Sequence, residues 1–510
     1  MSPLFCATDG AAPCLSSMSP RALTSALALA AGLAPGLMSL PGCSSSSSGA
    51  QDGGATADGS MTDGPAVDGE GSDAAPTDDA SDGAVRDDFA WVDSFSAGFG
   101  SSIMAMATDG SSVVIVGQVV GTATLGTTTL TAASSTGNAF VAKLDGTGKV
   151  VWARVASGSS SDFEAVAIDA SGNVVVSGTD FGDAPSFTFA GTTLTPNQSA
   201  TIGGNPVGAS AGVLTELDPT GTLEWAKMME STGEVNVGSL AISGRTVYAA
   251  GPIIDDASFA PSEGMPITGC GTAGCVYLAA WAGDGTVQWA KQAASTPHRG
   301  TGVDPREVWL AANATNLFLA IGGDLASASG SSDAGQIVVN QYDLTGALGW
   351  SKVAPLPNGG PSVSGLAVDA TGEAFVSGSF ADGLVLGTLT VAGGDYVAKY
   401  SASGAIAWAV DNPSTGALGV HGLALGASLY SFGNGVLGGE LDGGTSMSLD
   451  GYDPATGKIS SADPCSAAMG IGQTVAASGT AVFVAGAGGP TGQFGTHDLS
   501  ASGLFVGRKK

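Results

Sequence analysis

One unit recurs along most of this 510-residue chain, and it constrains the fold more than any other feature. It is a hairpin turning at Asp-x-Thr/Ser-Gly and running into a tryptophan strand. The copies read FVAKLDGTGKVVWARV (140–155), VLTELDPTGTLEWAKM (213–228), YLAAWAGDGTVQWAKQ (277–292), VVNQYDLTGALGWSKV (338–353) and YVAKYSASGAIAWAVD (396–411). A sixth, SLDGYDPATGKISSAD (448–463), has one extra turn residue and no tryptophan. A second hairpin alternates with the first, as in AVAIDASGNVVVSG (165–178) and GLAVDATGEAFVSG (365–378). Its copies close on Gly117, Gly178, Gly251, Gly322, Gly378, Gly433 and Gly486, spaced by 61, 73, 71, 56, 55 and 53 residues.

The residues explain the geometry of each unit. Asp145 at the first turn position accepts bonds from the backbone, and Gly148 supplies a positive φ. On either side apolar residues alternate, as a half-buried strand requires. A four-stranded unit cannot bury both of its faces alone, so seven copies imply a radial array. The ends of the repeat region suggest how it closes. The chain enters through a tryptophan strand, FAWVDSF (89–95), and leaves through GLFVGRKK (503–510), which has no tryptophan strand after it. The outer strand of the last unit is therefore expected from the N-terminal side, leaving no open sheet edge.

The blocks YVAK…SGAIAW and GLAVDATGEAFVSG resemble the SBBP repeats of exported bacterial proteins, most closely over 138–180 and 363–411. That resemblance implies an all-β, seven-bladed β-propeller over 89–510. The count of seven hairpins is independent of it.

The segment before the repeats reads as an export signal and a tether. RALTSALALAAGLAPGLMSLPGC (21–43) joins a basic residue to an apolar run and a small-residue end. Its ending Leu40-Pro41-Gly42-Cys43 resembles the lipobox of bacterial lipoproteins, which implies that Cys43 becomes the lipidated first residue after removal of 1–42. Met18 makes a tidier start than Met1. Acyl chains on one cysteine anchor firmly, because each buried methylene contributes ~0.8 kcal/mol. Residues 43–88 then hold eleven acids, one base and no aromatic residue, too little apolar surface to offset the entropy of ordering, so disorder is expected. That acidic linker contributes −10 to the net −29; residues 1–43 are neutral, so −19 remains on 89–510. Such a balance excludes a nucleic-acid partner, which asks for the opposite sign.

Trp91, Trp152, Trp225, Trp289, Trp350 and Trp408 share one strand position, which points to repeated packing between blades rather than a sugar-binding ring. Arg154, Lys227, Lys291 and Lys352 follow two residues later and are expected to lay their stems along neighbouring apolar surface. Cys270 and Cys275 flank Gly-Thr-Ala-Gly; in an exported protein a disulfide is the expected state, and a two-cysteine metal site lacks further ligands. Cys465 is left over and expected to be buried.

No catalytic constellation is evident. His298, His421 and His497 stand in unrelated loops, and no cofactor is called for. Asp109, Asp169 and Asp369 read as turn caps, with calcium as the alternative. Asp-Pro-Ala-Thr-Gly-Lys (453–458) resembles the tryptophan-docking turn of quinoprotein dehydrogenases, while the other five turns are one residue shorter. The tight turns are uniform, whereas the connections 119–137, 180–211, 254–274 and 293–305 vary. Variable loops on one rigid face make the expected binding surface. The sequence thus suggests a non-catalytic, membrane-anchored lipoprotein of the outer membrane or cell surface that binds a protein or glycan. A propeller enzyme (lyase or glycan hydrolase) and an outer-membrane assembly scaffold are the alternatives.

Overall fold

A computed structural model describes residues 88–510, apart from 182–185, 197–200, 203–204, 207–209, 260–264, 272–273, 294–306, 325–334, 357–361, 381–382, 388, 392–393, 412–419, 436–444, 468–470, 489–492, 495–496 and 500–502. The signal, Cys43 and the acidic linker lie outside the described residues. All regular elements among the described residues are β-strands.

Among the described residues, seven sheets of four or more strands form, together with four small ones of two or three. We number the larger ones I (102–155), II (160–231), III (239–292), IV (308–356), V (362–411), VI (420–467) and VII (471–509). Within each, four strands run antiparallel and pair in chain order. The fourth strand of VII is Phe89–Ala97, which pairs with Gly503–Lys509 from the other end of the chain. The first strand of every sheet neighbours the first strand of the next, and Ile471–Ser478 neighbours Ser102–Thr108, so the inner strands close a ring. The chain is a β-propeller.

Each seam between adjacent sheets buries its own apolar cluster. Phe163, Phe187 and Phe189 pack between I and II, and Tyr277, Trp281 and Phe259 between II and III. Phe95, Phe140 and Phe483 close the seam between VII and I. Alternation along the strands sends side chains to both faces, so a strand such as Ser112–Val119 is buried almost throughout.

Tryptophans lock the seams on the face that carries the tight turns. The Trp152 indole, 7% exposed, donates from Nε1 to the Pro219 carbonyl in the turn of the next sheet, at 3.0 Å. Trp91 does the same to Gly146 (2.9 Å), Trp350 to Ala402 (3.0 Å) and Trp408 to Pro454 (3.2 Å). Trp225 reaches Gly283 (3.3 Å), while beside Trp289 it is Lys291 that donates, to Thr345 and Gly346. The turn glycine lies beneath the ring in all six. A Cβ on Gly221 would stand 2.7 Å from Trp152, and one on Gly457 2.7 Å from Trp408. These glycines also hold positive φ, 80° and 72°. Turn length is therefore no criterion for docking: the five shorter turns receive a tryptophan as 453–458 does, because a carbonyl and a bare Cα suffice.

One lock is missing, at the seam of VI and VII. Sheet VI carries Ser461 at the tryptophan position, paired with Gly451. Sheet VII has no tight turn to receive an indole. Its chain ends meet there instead, with Lys510 N donating to Asp88 O at 2.9 Å. In sheet I the equivalent bond, Asp145 N to Lys149 O, closes the turn. The absent tryptophan and the absent turn are two sides of one closure.

The closing glycines lie inside strands, not at strand ends. In I, II and V the inner strand bulges at Met104, Glu164 and Ser364, and bulges recur at His421 and Gln473 in VI and VII. Beside the bulge a carbonyl presses onto the neighbouring strand. A Cβ on Gly117, Gly178 or Gly378 would fall 1.9–2.0 Å from the oxygen of Ser102, Asp162 or Ser362, and in III, where the inner edge breaks between Val235 and Ser239 instead of bulging, one on Gly251 would fall 2.1 Å from Asn236 O. Close backbone approach, rather than positive φ, demands glycine there. Gly322 is displaced by one residue: it pairs with Ile337, and the first two strands of IV pair without a bulge.

Candidate functional site

The tight turns, two in each of sheets I to VI and one in VII, lie on one face of the disc, and the connections between hairpins and between sheets lie on the other. Much of this loop face turns out to be scaffold. The hairpin Thr122–Thr131 pairs through Ala123 and Thr124 with Ala97 and Ser96 of sheet VII. Phe187–Phe189 pairs with Ser157–Gly158, and Ala257–Ser258 with Ser231 and Glu230 at the end of sheet II. Each small hairpin thus clasps the outer strand of the preceding sheet, or its continuation. The disulfide Cys270–Cys275 ties the loop that follows the third of these hairpins, with Cys275 fully buried. Most of 293–305 lies outside the described residues.

Below the loops, buried polar side chains gather around sheets I to III. In the seam of II and III, Tyr277 donates to the Asn236 carbonyl at 3.0 Å, and Asn236 Nδ2 donates to Glu234 at 2.8 Å. Ser177 Oγ reaches the Val237 carbonyl at 2.9 Å. Burial, helped by the charge of Glu164, pushes the Tyr277 phenol well above its usual range. In the seam of I and II, Asn138 Nδ2 donates to Ser159 O (2.7 Å) and Gln118 Nε2 to Ser161 O (3.1 Å). Asp180 lies in the same seam, fully buried, and burial pushes its carboxyl up to about 6.

These carboxylates do not converge. Asp180 pairs directly with Ser161, and Asp162 with Thr179, so the two acids stand on opposite faces of sheet II. A catalytic carboxylate pair across this strand is excluded by the pleat.

On the turn face the acids are engaged as caps. Asp109 accepts from Ser111 and Ser112, and Asp369 from Thr371 and Glu373; despite partial burial, these bonds hold both carboxyls below their usual range. Asp169 accepts from Ser171 and Asn173 and faces Arg245 at 3.3 Å. Arg245 also meets the buried Glu216 at 3.4 Å, whose carboxyl burial pushes up. Among the described residues no group of three or more His, Cys, Asp or Glu is placed to hold a metal ion.

Of the three histidines, His497 is half-buried, with Nε2 3.2 Å from the Phe89 carbonyl. His298 lies outside the described residues, as do the side chains of His421 and Cys465. The carboxyl that stands out, Asp180, was not singled out by sequence reading. One signal for it exists: a lone acid, next to last in the otherwise uncharged strand VVVSGTDF.

The sequence matches no protein-family model and no curated protein. Solved structures similar to this chain include the WD40 β-propeller domain of Doa1, at 9% identity and a TM-score of 0.41, covering 82% of this chain and 95% of that one. Another is the quinohemoprotein alcohol dehydrogenase of Comamonas testosteroni, at 12% identity and a TM-score of 0.37, covering 82% and 76%. The polysaccharide lyase Uly1 is similar at 9% identity and a TM-score of 0.26, covering 68% and 89%. Likeness this distant argues nothing about function, and the fold rests on the chain's own strand order.

Proposed function

We propose that this chain is an exported, lipid-anchored propeller of seven blades that binds a protein or glycan partner on its loop face without catalysis. One observation carries the reading. The chain enters the disc at Asp88, beside Lys510, on the face of the tight turns. The segment that leads in from Cys43 therefore joins the disc on its turn face, opposite the variable loops. The seven-blade count is supported by the closed ring of inner strands and by the matching seam clusters. The resemblances to lipoproteins at 40–43 and to SBBP repeats support export. A linker of roughly 45 residues spans about 35–40 Å if flexible, enough to hold the disc clear of a bilayer.

Cys43→Ala is expected to yield soluble, unacylated protein; labelling of that variant by palmitate would refute the anchor. Protease shaving of intact cells distinguishes surface display from a periplasmic assembly scaffold. Replacing the long loops one at a time is expected to abolish partner capture for at least one of them. Capture that survives every replacement would refute the loop-face assignment. The enzyme reading has one favourable observation, the raised carboxyl of Asp180. Its separation from Asp162 by the sheet weighs against acid–base chemistry there.

A further inference from the structure

Asp180 has a hydrogen-bonding problem that the scaffold does not require. Its side chain is fully buried at the loop-face end of sheet II, and among the described residues Oδ1 has no hydrogen-bond partner. Oδ2 faces a single donor, the Ser159 hydroxyl at 3.2 Å. That hydroxyl has one proton and a second acceptor within equal reach, the Ser186 carbonyl at 3.2 Å. It also accepts from Ser186 N at 2.6 Å. Proton counting separates two states. With Asp180 neutral, its own proton goes to Ser159 Oγ, the Ser159 proton goes to Ser186 O, and every hydroxyl is satisfied. With Asp180 ionised, the Ser159 proton must turn to the carboxylate, which remains buried with one donor for two oxygens.

Ser159 and Ser186 are where the small sheet is pinned. Ser159 N donates to Ser186 O at 3.0 Å, directly beside the pairing of Ser157–Gly158 with Phe187 and Thr188. The hairpin then inserts Phe187 and Phe189 against Phe163 in the seam of I and II. Among the described residues the groups near Asp180 are Ser161 from its own sheet, Gln118 and Asn138 from sheet I, and Ser159 and Ser186 from the small sheet. None of them carries charge or titrates in water below strongly basic pH. Desolvation, not a neighbouring ion, therefore governs this carboxyl.

We propose that Asp180 is held as a neutral acid that latches the hairpin Phe187–Leu194 onto the loop face, and that its ionisation releases the hairpin. The direction follows from linkage: a carboxyl raised in the closed state contributes fully to closure below its open-state value, and that contribution is lost as pH rises from there through its closed-state value. This device is independent of any partner on the loop face.

The test is amide hydrogen exchange over residues 186–194 of the whole protein between pH 5 and pH 8, corrected for intrinsic exchange, with the Thr122–Thr131 hairpin as internal reference. With a closed-state value of about 6 against 3.8 for the open state, the opening equilibrium is expected to rise about tenfold across that interval. The reference hairpin is expected to stay flat. Asp180→Asn keeps an acceptor for Ser159 and is expected to abolish the dependence. Equal pH dependence in Asp180→Asn, or a flat profile in the wild type, overturns the proposal. If Asp180→Asn does not fold, carbon-13 titration of the wild-type carboxyl decides: a midpoint near 6 supports the latch, and one near 4 overturns it.

Discussion

Trp152 offers the sharpest probe of how the blades are held. Its indole is 7% exposed, fills the seam of I and II, and donates to the Pro219 carbonyl across it. Trp152→Ala removes nearly all of that burial and leaves a cavity, which costs about 3–5 kcal/mol at such a site. Trp152→Phe retains most of the ring and loses the hydrogen bond, about 1 kcal/mol, with a further small loss of packing. Gly221→Ala attacks the same lock from the other side. It asks an L-residue to hold φ of 80° and puts a Cβ 2.7 Å from Trp152 Cδ2, so a loss of about 2 kcal/mol is expected. Trp350 is half-buried, and its alanine variant is expected to lose less than Trp152→Ala. Guanidinium unfolding followed by far-UV circular dichroism reads all four variants without relying on the indole signal. A Trp152→Ala midpoint within error of wild type, or Trp152→Phe as damaging as Trp152→Ala, would refute the lock.

Deleting 89–97 removes the fourth strand of VII together with Trp91, and cooperative melting is expected to broaden and fall; an unchanged melting curve contradicts closure through that strand. Ala190 holds φ of 47° beside Gly191 at 87°, the sign pattern of a tight two-residue hairpin turn that favours Asn at its first position. Ala190→Asn is expected to stabilise by up to about 1 kcal/mol, and a loss of stability in thermal melts contradicts that conformation. Arg245→Ala leaves Asp169 and Glu216 buried without their shared cation. A destabilisation that shrinks as acid protonates the Glu216 carboxyl, which burial already pushes up, is expected; a pH-independent loss would mean that packing by the arginine stem is what matters.

The parts of this fold written locally in the chain were the readable ones. Each hairpin announces itself by alternating apolar residues around an Asp-x-Thr/Ser-Gly turn, and both ends of the chain carried matching halves of one blade. What each tryptophan docks onto was not readable. Its partner lies 46–67 residues away in sequence, in a turn whose length suggested no dock. The closing glycines were visible as a pattern, but their cause was not. Nothing in the sequence reveals that a carbonyl from a bulged neighbour presses on Gly178. The stretch FTFAGTTLT alternates as a strand does, but nothing in it indicates that it pairs with Ser157–Gly158. Asp180 escaped notice because a single acid at a strand end is ordinary until both of its faces prove to be covered.

The central claim is that the loop face, directed away from the N-terminal attachment, is the surface that meets a partner. Photo-crosslinking amino acids in intact cells test it most directly. Positions Phe99, Thr127 and Thr193 report on the loop face, and Thr147 and Thr220 on the turn face; all five are exposed. Discrete, reproducible adducts from at least one loop-face position and none from the turn face are predicted. Adducts confined to Thr147 and Thr220 would contradict the account.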